Sequence, residues 1–163
     1  MSVVDRALSR LSPVAPWVHF QGPLSEDPFD LSVPEALVAV MVASALADDR
    51  RSDEESARLA GALWTSRLFH RATAAGEGTP DMVARLTAVL REHGRDAVLA
   101  ACARTIPPDM RATAFANAAD LIFADGAVDD REKAYVDDLA RILGVDDATA
   151  VSIVEVLAIK HRT

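Results

Sequence analysis

Two almost wholly apolar segments dominate the pattern of hydrophobic and polar positions along the chain. Residues 37–47 form the first, and a capping box of Ser32 and Glu35 predicts a helix that starts just before it. Residues 110–124 form the second, which is apolar on most sides after Arg111. Because helices that are apolar nearly all round are buried, we expect both to lie at the centre of the fold.

The other periodic segments repeat apolar residues at spacings of three and four, which is typical of amphipathic helices packed on one face. Main helices of this kind are expected over 52–70, 79–93, 95–104, 130–143 and 146–160, with a short helix over 2–11. The core face expected for the last helix consists of Val151, Val154, Leu157 and Ile159. No segment shows the period-two alternation of a hairpin. The sequence therefore predicts an all-α fold, a compact bundle of about seven main helices.

A segment rich in proline and glycine, residues 12–34, separates the short N-terminal helix from the rest of the chain. We therefore expect an N-terminal helix and linker over residues 1–30 and a single helical domain over residues 31–163. Trp17 and Phe20 lie within the linker. They either pin it to the domain surface or form an arm that docks a partner.

An internal repeat relates the two apolar helices and the acidic turns that follow them. The offset is 77 residues, from Asp48 to Asp125. At this offset the matching pairs are Ala47 with Ala124, Asp48 with Asp125, Asp53 with Asp130, Glu55 with Glu132, and Ala57 with Ala134. Each copy is a helix, an acidic turn and a second helix, so we expect a pseudo-twofold bundle in which the two central helices pack together.

Composition narrows the classes of function. Seventeen basic and twenty-five acidic residues give a net charge of −8, which disfavours nucleic-acid binding because phosphate neutralisation needs clustered Lys and Arg. Cys102 is the only cysteine, and we expect it to be a small buried side chain. No signal-peptide core and no spanning segment is visible, so the sequence predicts a cytoplasmic protein.

The second acidic turn, Ala124-Asp125-Gly126-Ala127-Val128-Asp129-Asp130-Arg131-Glu132, resembles the alanine–aspartate–glycine…glutamate signature of the TerB-like (tellurite-resistance protein TerB) family. The helix start at residues 31–36, the segment 67–69 and the end of the chain at 155–162 are also similar to that family. The resemblance implies a single TerB-like helical domain with clustered acids that bind divalent metal, calcium in particular. It further implies a bacterial stress-response role that includes tellurite resistance, and no enzymatic activity.

Carried over to this sequence, the acidic positions of the family fall on Asp120, Asp125 and Glu132 in the second turn, and on Asp48 and Glu55 in the first. The first turn departs from the pattern. Asp49 replaces the glycine, and Ala43 lies at the position equivalent to Asp120. The resemblance therefore implies a weaker first site.

Carboxylate chemistry agrees with calcium or magnesium as the ion, since both prefer oxygen ligands. Asp129 adds a further carboxylate, so the candidate ligands are Asp120, Asp125, Asp129, Glu132, Asp48 and Glu55. The alternative is structural, because Asp129 with Glu132 also reads as a capping box. Asp120 is the most diagnostic acid. It lies in an apolar helix, where a carboxylate needs a cation, an Arg such as Arg131, or a backbone donor.

No phosphate-binding glycine loop, nucleophile elbow or zinc-protease helix motif is present, so we expect a non-enzymatic protein. Two hypotheses for its function follow. One is a TerB-like stress protein with divalent-metal sites and protein partners, which the resemblance suggests to be other tellurite-resistance-type proteins. The other is a metal-independent protein-interaction module that uses its helical surface or its N-terminal arm.

Overall fold

Every regular element in the described part of the chain is helical, which confirms the predicted all-α class. The structure is a computed structural model that describes residues 3–10, 29–47, 79–124 and 128–162. Its helices are α1 (Val3–Leu8), α2 (Val33–Ala45), α3 (Thr79–His93), α4 (Arg95–Thr105), a 3₁₀ turn (Pro108–Met110), α5 (Arg111–Phe123), α6 (Asp130–Leu143) and α7 (Asp147–Lys160). The predicted helix over 52–70 lies outside the described residues, as do Trp17 and Phe20.

Helix α2 forms the centre of the bundle. Its start is the predicted capping box, in which the Ser32 side chain accepts from the Glu35 backbone and Glu35 bonds back to the Ser32 backbone. From Ala36 to Ala45 every side chain is buried. Because α2 is apolar on all sides, it is stable only when neighbours cover all of them, and α3, α4 and α5 do so.

Helix α5 makes the most extensive contact with α2. It buries Phe115 among small side chains, of which Ala114, Ala118 and Ala119 are fully or almost fully covered. Small side chains on both helices allow their backbones to approach closely. The central pairing of α2 with α5 is therefore as expected, while the pseudo-twofold relation of the acidic turns stays a prediction.

The outer helices are attached to this centre by packing and by a few polar contacts. Helix α6 packs on α4 and α5, and its Tyr135 hydroxyl lies 3.0 Å from the Ser44 hydroxyl of α2. Arg111 of α5 donates to the Ala103 carbonyl at 2.8 Å, which satisfies the end of α4. Cys102 of α4 is fully buried, as predicted.

Helix α7 packs mainly on α5, and the side of α7 opposite this contact faces away from the bundle. A glycine in the left-handed conformation, Gly144 (φ 67°), ends α6. The Asp146 side chain then caps α7 by accepting from the Thr149 backbone at 3.0 Å. This short connection places α7 beside α5 and brings its C-terminal end towards Asp120.

Candidate functional site

Asp120, in the last turn of α5, is bound by the C-terminal end of α7. Lys160, the last residue of α7, donates to both carboxylate oxygens of Asp120, at 2.8 Å and 2.7 Å. The His161 ring nitrogen Nε2 lies 2.6 Å from Asp120 Oδ1. An ionised carboxylate can only accept, so Nε2 of His161 carries the proton in this contact. The two basic residues and the acid together form what we term the α5–α7 clasp.

The clasp explains how an acid is accommodated in an apolar helix. Partial burial raises the pKa of Asp120. The hydrogen bonds from His161 and Lys160, together with their coulombic interactions, lower this pKa by more than burial raises it. The net pKa of Asp120 lies below its ordinary value of 3.8, so the side chain is ionised at neutral pH. The basic side chains that meet Asp120 among the described residues are therefore those of Lys160 and His161, and not that of the suggested Arg131.

Asp129 and Glu132, at the start of α6, form the predicted capping box. Asp129 Oδ1 accepts from the backbone amides of Arg131 at 2.8 Å and Glu132 at 2.9 Å. In return, Glu132 Oε2 accepts from the Asp129 amide at 2.9 Å. These bonds satisfy backbone donors that the first turn of a helix leaves without partners. Both acids therefore have a structural role that requires no ion.

The predicted metal ligands are only partly within the described residues. Asp125 is outside them, and so are Asp48 and Glu55 of the first turn. Among the residues that are described, no three acidic, histidine or cysteine side chains converge as a metal site would require. Asp120 instead contacts the basic side chains of Lys160 and His161. The calcium or magnesium site stays a prediction that depends on residues 125–127 and on the first turn.

The expected core face of α7 is partly wrong. Leu157 is buried and Val154 is half-buried, but Val151 is 56% exposed and Ile159 is 68% exposed. The physical reason is that α7 packs mainly on α5 and so buries a narrow stripe. Its other side forms what we term the α7 outer face, which consists of the exposed residues Ala148, Val151, Ser152, Glu155, Val156 and Ile159.

Sequence reasoning missed both the clasp and the α7 outer face. One available signal was that α7 carries valine or isoleucine on all sides, more than a single packing contact can cover. Another was the basic end of the chain, where Lys160 and His161 can interact with their own helix terminus and can also bind an acid. The basic end does not identify its partner, because Asp120 lies 40 residues before Lys160 along the chain.

Comparisons of the chain with protein-family models, with curated proteins and with solved structures find no match. The resemblance to the TerB-like family therefore stays a prediction. Within the described segments, no helix combines the length and the apolar character needed to cross a bilayer.

Proposed function

We propose that this chain is a non-enzymatic helical protein-interaction module whose docking surface is the α7 outer face. The observation that carries the proposal is the exposure of Val151, Val156 and Ile159, which are 56%, 63% and 68% accessible on one helix. Single exposed apolar residues are ordinary, but several large ones exposed on the same helix favour an interaction site.

The chemistry of the α7 outer face defines the kind of partner. Its apolar residues Val151, Val156 and Ile159 flank the polar Ser152 and Glu155, while Asp146 and Asp147 lie at the N-terminal end of α7 and Lys160 and Arg162 at its C-terminal end. A partner helix with an apolar stripe, a basic end opposite the two aspartates and an acidic end opposite the two cations would match it. The partner we propose is therefore an amphipathic helix with such charged ends.

The described acids support a metal-independent role for the bundle. The clasp joins Asp120 to the end of α7, and the capping box of Asp129 and Glu132 starts α6. Asp120 thus holds α7, the helix that presents the docking surface, while Asp129 and Glu132 stabilise the helix that precedes it. The N-terminal arm, the other surface considered, lies outside the described residues.

A second candidate function is the divalent-metal-binding stress protein implied by the TerB-like signature. What favours it is the position of Asp120 and the exposed Asp129 on either side of residues 125–127. In this proposal the protein is bacterial and cytoplasmic, acts in a tellurite-type stress response and binds calcium or magnesium. Calcium should then raise the melting temperature, and Asp125→Ala should abolish the rise. Equal melting temperatures in calcium and in chelator would contradict it.

Site-specific photo-crosslinking tests the docking surface. A photoreactive residue at Val156 should yield adducts with an identified helical segment, in chelator as well as in calcium. The matched control is the same residue at Val4 of α1, which has an equal exposed fraction of 63%. The identified partner, purified, should lose binding to Val156→Asp and keep binding to Val4→Asp. Equal adduct yields from the two positions would refute the proposal.

A further inference from the structure

We draw no further inference here: the strongest candidate, the α7 outer face as an interface with a second copy of the chain, carries nothing because it belongs to the docking surface already proposed and nothing in the structure shows what covers it.

Discussion

The clasp between α5 and α7 yields the sharpest test of how the last helix is held. Asp120→Asn removes the negative charge but keeps the shape of the side chain and one oxygen acceptor. In the wild-type protein Lys160 contacts both oxygens, and His161 contacts one of them. The substitution leaves Lys160 without its counter-charge.

The expected loss of stability lies between that of a surface pair and that of a buried one. Exposed ion pairs contribute roughly 0.2–1 kcal/mol, and hydrogen bonds to charged groups roughly 1.5–3 kcal/mol. The Asp120 side chain is 36% exposed and that of His161 is 19% exposed, so solvent screens part of the interaction. We expect Asp120→Asn to lower the free energy of unfolding by about 1–2 kcal/mol.

Urea denaturation followed by circular dichroism measures this loss. The matched control is Asp138→Asn, whose partner Arg141 is on the same helix at 2.8 Å, with side chains that are 56% and 73% exposed. That pair should contribute no more than about 0.5 kcal/mol. Hydrogen exchange should show that the amides of α7 lose protection in Asp120→Asn more than those of α2 do, because α7 has few other contacts.

The pH dependence follows from the lowered pKa of Asp120. A carboxyl whose folded pKa is below its unfolded value stabilises the fold above the unfolded pKa and loses that contribution as the pH falls through the folded pKa. The difference in stability between wild type and Asp120→Asn should therefore be complete at neutral pH and shrink below about pH 3.8. Equal destabilisation by Asp120→Asn and Asp138→Asn, or a difference that grows in acid, would refute the assigned role of the clasp.

Two further predictions concern the start of α6 and the core. Asp129→Ala should cost about 1 kcal/mol because it removes the cap, whereas Asp129→Ser should keep most of that stability; a serine as harmful as alanine in urea denaturation would point away from capping. Phe115→Ala should cost about 3–5 kcal/mol, since the side chain is fully buried on α5. A cost below about 1 kcal/mol in the same assay would mean that Phe115 is not in the core.

Local interactions were predictable from the sequence, because their partners are close along the chain. The capping boxes of Ser32 with Glu35 and of Asp129 with Glu132 join residues three apart. Gly144 ends α6 through its own backbone conformation. The burial of α2 was also predictable, because a helix that is apolar on all sides has no face suited to water.

The sequence by itself therefore determined the helical class, most helix ends, the central helices and the capping acids. Only the tertiary structure decided which side of α7 is covered and which cation binds Asp120. A helix apolar on all sides does not indicate from sequence which of its stripes a neighbour will cover, so Val151 and Ile159 were assigned to the core although they are exposed. The pairing of Asp120 with Lys160 depends on packing α7 beside α5, which brings together charges 40 residues apart that no local pattern connects.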